Sequence, residues 1–164
     1  MEKPTDRVEF ECMLLGRYAL NQRYRRDGTP ILDRSAYLLL SRLELEGPMS
    51  IGQLSDAFHL DASTLNRQTA ALLRGGLVER IADPDGGVAR KFRISAAGER
   101  RLDDERTTNI GALTDLMDDW APADVTAFAD YLQRLNSRIE DRAGQPWPRP
   151  GVPVDQPGVT SPDS

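Results

Sequence analysis

The chain has 164 residues, of which 39% are hydrophobic and 29% are charged, and its net charge is −5. This length and mixture are typical of one globular domain, or of one domain with a tail. No apolar run approaches the roughly 18 to 20 residues that cross a bilayer, and no secretory signal is recognisable, so we expect a cytoplasmic protein without a membrane partner. The single cysteine and the single histidine exclude most metal sites and catalytic triads. We therefore expect a protein that is not an enzyme and that has no catalytic residue, metal or cofactor.

Basic residues concentrate in one part of the chain despite its acidic total. Residues 62–101 contain eight Lys or Arg side chains and four Asp or Glu side chains, a local net charge of +4. Nucleic-acid binding depends on where charges lie and not on their sum. On charge alone, an ordinary solvated surface fits this window as well as a nucleic-acid contact does, so the motifs inside the window have to decide.

The first part of the chain predicts two helices separated by a turn. Thr5 is placed to cap a helix over residues 6–25, whose apolar side chains recur at three- and four-residue spacing. Asp33 is placed to cap a second helix, which ends at Gly47-Pro48. A mainly helical fold is therefore expected from the start of the chain.

A pair of short helices, joined by only a few residues, is predicted next. Ser50 and Gln53 have the spacing of a capping box, which begins the third helix. Asp61 is placed to cap a fourth helix over residues 62–74, which ends at Gly75-Gly76 because glycine tolerates the left-handed conformation beyond a helix end. Two helices connected in this way are typical of a helix-turn-helix.

The fourth helix contains the side chains that base recognition requires. Its leucines can face a core, while hydrogen-bonding side chains crowd its first two turns. In the major groove of DNA, arginine can pair with guanine, and asparagine or glutamine with adenine. The predicted DNA contacts in this helix are Ser63, Thr64, Asn66, Arg67 and Gln68.

A basic hairpin is predicted after the fourth helix. The sequence favours strands at residues 77–81 and 90–94, separated by a turn at residues 83–87. The order of helices and hairpin predicts a mainly α fold with a small β-hairpin wing, a winged helix-turn-helix, whose wing lies along the DNA backbone or minor groove. The predicted wing contacts are Arg90, Lys91 and Arg93.

The ordered series of these motifs resembles the MarR family of transcriptional regulators. The resemblance covers residues 32–102, and more loosely residues 6–142. The order and spacing of four runs distinguish this resemblance from the general helix-turn-helix signal. These runs are Gly47-Pro48-Met49-Ser50-Ile51-Gly52-Gln53-Leu54-Ser55, Leu60-Asp61-Ala62-Ser63-Thr64-Leu65-Asn66-Arg67, Leu72-Leu73-Arg74-Gly75-Gly76-Leu77-Val78-Glu79-Arg80, and Asp83-Pro84-Asp85 through Ile94-Ser95-Ala96-Ala97-Gly98.

The resemblance implies a homodimer in which the first helix and the last two helices hold two DNA-binding lobes apart. We therefore divide the chain into a dimerisation helix, a winged helix-turn-helix lobe, two C-terminal dimerisation helices and a proline-rich tail. The tail composition predicts disorder, with an anchoring contact by Trp147 and a proline-rich docking segment as the alternatives. The four segments are residues 1–30, 31–95, 96–142 and 143–164.

Three features of the sequence bear on how closely the family pattern applies. The family's hairpin usually carries an Asp-Arg pair at its tip, where this chain has Gly86 and Gly87. Arg67 falls where an arginine is common in the family and is the foremost predicted DNA contact. Cys12 lies on the first helix, as in a branch of the family that senses hydroperoxides, although its neighbour Glu11 disfavours a thiolate.

We accordingly expect a sequence-specific transcriptional regulator that binds double-stranded DNA. The expected form is a dimeric repressor of inverted-repeat operators, which a small aromatic effector releases. One alternative is a regulator that senses redox state through Cys12. A second alternative, consistent with the acidic total charge and the missing wing arginine, is a protein-interaction module that does not read DNA.

Overall fold

The computed structural model describes residues 3–20 and 31–151, and in this part of the chain six helices surround a small antiparallel sheet. The mainly α fold with a β-hairpin wing is confirmed. The predicted first helix is present, but Thr5, the predicted cap, is its first helical residue, and residues 21–25 lie outside the described residues. The elements are α1 (Thr5–Leu20), α2 (Arg34–Glu46), β1 (Met49–Ser50), α3 (Ile51–Phe58), α4 (Ala62–Arg74), β2 (Val78–Ile81), β3 (Lys91–Ile94), α5 (Ala96–Leu116) and α6 (Pro122–Ala143).

Side-chain caps define where several helices begin. The Asp33 carboxylate accepts a hydrogen bond from the backbone N–H of Ala36 at 2.8 Å, and it caps α2 as predicted. Ser50 and Gln53 form the predicted reciprocal capping box of α3, with hydrogen bonds of 3.2 and 2.9 Å. Asp61 occupies the capping position of α4, but its side chain makes no capping hydrogen bond, so that part of the prediction is wrong.

The sheet has one more strand than the hairpin predicts. β3 lies in the centre, with β2 on one side and β1 on the other, and both pairings are antiparallel. Met49 pairs with Phe92, and Val78 pairs with Ile94. β1 has only two residues, so no alternating pattern can develop in it. Its pairing nevertheless connects the start of α3 to the wing.

The hydrophobic core lies inside the helix-turn-helix lobe. Leucines of α2, α3 and α4 pack with Phe92 of β3 and with Leu102 of α5, and all of them are almost completely shielded from solvent. In contrast, α6 has no buried residue. Nor does any helix in the described part of the chain have the length and apolarity to cross a membrane. The fully buried leucines are Leu39, Leu40, Leu43, Leu54, Leu65 and Leu102.

The first turns of α5 join it firmly to the lobe. The Glu105 carboxylate is buried and accepts hydrogen bonds from the backbone N–H of Leu32 at 3.3 Å and from Arg101 at 2.9 Å. Ser95 caps α5 by accepting from the backbone N–H of Gly98, while its hydroxyl donates to the carbonyl of Gly76 at 2.6 Å. A movement of α5 at this end is therefore transmitted to the lobe.

The beginning of the proline-rich segment differs from the predicted disorder. Residues 145–151 follow α6 and pack back onto the lobe, where the indole ring of Trp147 contacts the ring of Phe58 edge to face. Disorder was expected from composition, whereas one aromatic residue with a fitting surface suffices to order this short stretch. Residues 152–164, for which disorder was also predicted, lie outside the described residues.

Candidate nucleic-acid interface

The turn between α3 and α4 has a defined geometry. His59 ends α3 in the left-handed conformation, with φ of 49°. The Ser55 hydroxyl donates a hydrogen bond to the Leu60 carbonyl, and the Leu60 N–H donates to the Ser55 carbonyl at 3.3 Å. These contacts close the turn from both sides and fix the direction in which α4 leaves α3.

α4 divides its residues between the core and the outer surface. Leu65, Thr69 and Leu72 form its buried face. The sequence at Thr69 places a hydroxyl in this core, and the hydroxyl is satisfied because it donates to the Leu65 carbonyl at 2.7 Å. The polar residues that the sequence singles out lie on the remaining surface: Ser63, Asn66 and Arg67 are exposed, and Thr64 and Gln68 are half-buried.

Arg67 and Asn66 project from the first half of α4 with their polar groups available to a partner. Within the described residues, neither side chain takes part in a hydrogen bond or ion pair with another side chain. An arginine that is held in an internal ion pair would have to break it before binding a base. Arg67 therefore has the exposure and the free donors that a contact to a guanine edge requires.

The wing is braced by carboxylates at its turn. Asp83 accepts a hydrogen bond from the backbone N–H of Asp85 at 2.9 Å, and the Lys91 ammonium lies 3.2 Å from the Asp83 carboxylate and 3.9 Å from that of Asp85. The backbone hydrogen bond from Asp85, together with Lys91, lowers the pKa of Asp83. Lys91 is buried, which departs from the prediction that it reaches a phosphate, because its ammonium faces the turn of its own wing.

The two arginines among the predicted wing contacts, Arg90 and Arg93, differ in how available their guanidinium groups are to a phosphate. Arg93 lies opposite Glu79 and forms a 2.7 Å ion pair with it, in which both side chains are about half exposed, at 53% and 51%. Arg90 is exposed, and within the described residues it has no ion-pair partner. Of the three predicted wing contacts, Arg90 is the one most available to a phosphate.

A shallow groove of about 370 Å³ runs between the beginning of α3 and the wing. Arg80 and Arg90 border it on the wing side, and Ser50, Ile51 and Gly52 border it on the α3 side. The Arg80 guanidinium lies 5.4 Å from the centroid of the Phe92 ring, which positions it at this edge. Arg80 is not among the predicted contacts. It lies two residues after the buried Val78 and therefore on the same face of β2, so strand alternation gives no signal that its side chain reaches the surface.

The two glycines at the wing tip are constrained in different ways. Gly86 has a φ of 83°, in the left-handed region that favours glycine. A Cβ atom on Gly87 would overlap the carboxylate of Asp83, with the Cγ atom of Asp83 at 3.2 Å. An arginine in place of Gly87 would therefore have to displace the Asp83 carboxylate, which closes the turn at that point.

Cys12 is exposed on α1 and lies away from these elements in the sequence. In the part of the chain that the structure describes, no group of three or more His, Cys, Asp or Glu side chains could hold a metal ion. The exposed face of α4 and the flanking wing present groups for hydrogen bonding and charge pairing.

This geometry defines a winged helix-turn-helix protein, in which α3 and α4 form the helix-turn-helix and β2 and β3 form the wing. The model of the MarR family matches residues 32–86. An uncharacterized HTH-type transcriptional regulator of Bacillus subtilis, YxaD, is 33% identical over 142 residues, which covers 85% of this chain and 98% of that protein. The chain belongs to the MarR family of transcriptional regulators and is a DNA-binding protein.

Solved structures agree with this assignment. A MarR family protein from Bacillus stearothermophilus has a TM-score of 0.67 and 25% identity, and the match covers 85% of this chain and 99% of that one. The PcaV transcriptional regulator from Streptomyces coelicolor, solved in complex with its natural ligand, has a TM-score of 0.55 and 19% identity, covering 81% of this chain and 92% of that one. The likeness to PcaV shows a shared fold.

Proposed function

We propose that the protein is a cytoplasmic, dimeric repressor that binds inverted-repeat operators and is released from them by a small aromatic effector. The observation that carries the proposal is the division of α4, which buries Leu65 and Leu72 and leaves the side chains of Asn66 and Arg67 exposed and, among the residues that the structure describes, without an internal partner. A recognition helix of this kind enters the major groove, and its first turns meet the base edges.

The roles of the predicted contacts follow from where their side chains lie. Arg67 is assigned to a guanine and Asn66 to an adenine, with Ser63, Thr64 and Gln68 in supporting contacts. Arg90 is assigned to a phosphate beside the wing, and Arg93 can join it when its exposed ion pair with Glu79 opens. Lys91 is assigned to bracing the wing turn, because its ammonium already neutralises Asp83.

Dimerisation through α1, α5 and α6 is supported by the apolar side chains that these helices leave exposed. An isolated subunit with this much exposed apolar surface is expected to bury it against a second copy. The division into residues 1–30, 31–95, 96–142 and 143–164 is kept as part of the proposal. The exposed apolar residues are Val8, Phe10, Met13 and Leu15 of α1, Ile110, Leu113 and Leu116 of α5, and Phe128, Tyr131, Leu132, Leu135 and Ile139 of α6.

Release by an effector is assigned to the junction of α5 and α2. Arg106 of α5 donates hydrogen bonds to Glu44 of α2 at 2.6 Å and to Asp103 at 3.2 Å. The hydrogen bond to Glu44 raises the pKa of Arg106, whose side chain is in any case charged at neutral pH. An effector that binds near this ion pair would shift the spacing of the two lobes away from successive major grooves, about 34 Å apart, and operator affinity would fall.

The test compares two arginine substitutions on the same helix. Arg67→Ala removes the proposed base contact, whereas Arg74→Ala removes an exposed positive charge about 10 Å further along α4. Operator affinity is measured by titration against a series of duplexes that vary each base pair of the half-site.

We expect Arg67→Ala to cost about 1 to 3 kcal/mol of operator-binding free energy and to relax preference at one base pair of each half-site. Arg74→Ala should leave the base preference unchanged. Equal effects on all duplexes from both variants would contradict base recognition by Arg67.

A further inference from the structure

The segment that follows α6 connects the two functional halves of the chain. Gly144 ends α6 with a φ of 67° and turns the chain back toward the lobe. The indole ring of Trp147 then meets the ring of Phe58 at the end of α3, with centroids 5.3 Å apart and planes at 88°. On α2, the guanidinium of the buried Arg42 lies 4.7 Å from the centroid of the Trp147 ring. We call residues 145–151 the strap.

Hydrogen bonds to α6 and α3 hold the strap in place in addition to its aromatic contact. The Glu140 carboxylate of α6 accepts two hydrogen bonds from Arg149, at 2.6 and 2.9 Å, and one from the backbone N–H of Trp147 at 3.1 Å. The Gln145 side-chain amide donates to the backbone carbonyl of Asp56 in α3. Such a two-pronged arginine–carboxylate pair fixes direction as well as distance. Arg149 is therefore in place to hold the Trp147 backbone against the end of α6.

The composition of the strap lowers the entropic cost of this arrangement. Pro146, Pro148 and Pro150 alternate with the residues that make the contacts, and each proline ring fixes its own φ. A chain with few accessible conformations loses little freedom on docking. The proline content predicts that these residues form neither a helix nor a strand. Together with an aromatic anchor, the same prolines favour a short, stiff connection.

The contacts of α6 show why this connection matters. Within the described residues, α6 has no buried side chain, while α3, to which the strap binds, is the helix that positions the recognition helix α4. The strap contacts α3 at two points, the ring of Phe58 and the carbonyl of Asp56. It therefore links the proposed dimerisation helix directly to the first helix of the helix-turn-helix.

We propose that the strap holds the DNA-binding lobe at a set position relative to α6, and that Trp147 is a positioning residue for operator binding. This inference rests on the proposed function, because it needs two lobes that read two half-sites at once. When the strap is released, each lobe samples more orientations, and a smaller fraction of dimers has both recognition helices at the required spacing. Apparent affinity falls in proportion to that fraction. Binding to non-specific DNA does not require the spacing and is little affected.

The experiment uses the full chain and four variants. Trp147→Ala removes the aromatic anchor, Trp147→Phe retains an aromatic ring, and Arg149→Ala removes the clamp on Glu140. Arg138→Ala is the matched control, because Arg138 is an exposed arginine of α6 whose ion pair with Asp141 is long, at 3.8 Å. For each variant, dissociation constants are measured for a duplex selected by the wild-type protein and for a scrambled duplex, and the dimer is measured by sedimentation.

We expect Trp147→Ala and Arg149→Ala to weaken binding to the selected duplex on the order of tenfold and to the scrambled duplex by less than about twofold, with dimerisation unchanged. Trp147→Phe should recover most of the affinity, and Arg138→Ala should resemble the wild type. Unchanged affinity of Trp147→Ala for the selected duplex, or an equal loss on both duplexes, would overturn the proposal.

A spectroscopic measurement separates failure of the strap from failure of the proposed function. In a Trp120→Phe background, Trp147 is the one tryptophan, so its quenching by acrylamide reports docking without any DNA. The docked ring should be protected, and Arg149→Ala should increase its accessibility. Free quenching of Trp147 would refute the strap itself. A wild-type protein that sediments as a monomer, or that binds both duplexes equally, would refute the proposed function and with it the effect of the strap on operator binding.

Discussion

Replacement of Gly98 by alanine tests how the lobe is joined to α5. Gly98 lies in the first turn of α5, where it is buried and its N–H is capped by Ser95. A Cβ atom at this position would overlap the backbone carbonyl oxygen of Leu77 and would lie 2.9 Å from the Cγ1 atom of Ile94. The backbone cannot yield as a flexible side chain would, so α5 itself has to move away from the sheet.

The expected loss of stability follows from three contributions. Overpacking of a close contact costs about 1 to 3 kcal/mol. Displacement of α5 also weakens the hydrogen bond from the Ser95 N–H to the Leu77 carbonyl, now 3.0 Å, and the loss of such a bond costs about 1 kcal/mol. Alanine regains up to about 1 kcal/mol through its higher helix propensity. The net loss should be about 1 to 3 kcal/mol, which lowers the Tm of a chain of this size by roughly 3 to 10 °C.

The assay is thermal and urea unfolding followed by circular dichroism, at one protein concentration because dimer stability depends on it. Gly52→Ala is the matched control, since its new Cβ would meet only the Ser50 hydroxyl, at an ordinary 3.8 Å. We expect the control to lie within about 0.5 kcal/mol of the wild type. A Gly98→Ala protein as stable as the control would refute the close approach between α5 and the Leu77 backbone.

Two further predictions concern the start of α2 and the wing tip. Asp33→Ala should destabilise the protein by about 1 kcal/mol at neutral pH through loss of the cap. Hydrogen bonds from the Ser35 hydroxyl and the Ala36 N–H lower the pKa of Asp33 in the folded state. The stabilisation by Asp33 is therefore complete above the ordinary carboxyl pKa, about 4, and disappears as the pH falls through the lowered pKa. A stability difference that persists unchanged in acid unfolding titrations would contradict this role. Gly87→Arg restores the family's usual wing arginine. It should give no gain in operator affinity, because the new side chain displaces Asp83 from the turn. Tighter binding in a titration at fixed salt would show that the tip accepts an arginine.

Local features of the chain could be predicted from sequence because they depend on neighbouring residues. The capping box of Ser50 and Gln53 and the cap at Asp33 each involve residues within three positions of one another, and both are confirmed. The bounds of α4 could likewise be predicted, since Asp61 and the glycine pair after Arg74 mark its ends. Asp61 shows the limit of this reasoning, because a suitable residue at a capping position does not guarantee that its side chain turns toward the helix.

Features that depend on residues far apart in the chain could not be predicted from its sequence. β1 is too short to show a pattern, and it exists because Met49 meets Phe92. The Lys91 ammonium can pair with a DNA phosphate or with the Asp83 carboxylate across the wing turn. Composition alone does not show which of the two groups lies nearer. The anchoring contact of Trp147 could be predicted only as one of three alternatives, beside a disordered extension and a docking segment, since its contact surface is formed by residues about 90 to 105 positions earlier in the chain.

The most direct test of the account is selection of bound fragments from random duplex DNA at about 150 mM salt, followed by titration of the selected duplex and a scrambled control across salt concentrations. The account predicts a two-fold-symmetric site whose half-site centres are about one helical turn apart, preferred over the control by at least about a thousandfold. Enrichment of no site, with equal binding to both duplexes at every salt concentration, would contradict recognition of bases by α4.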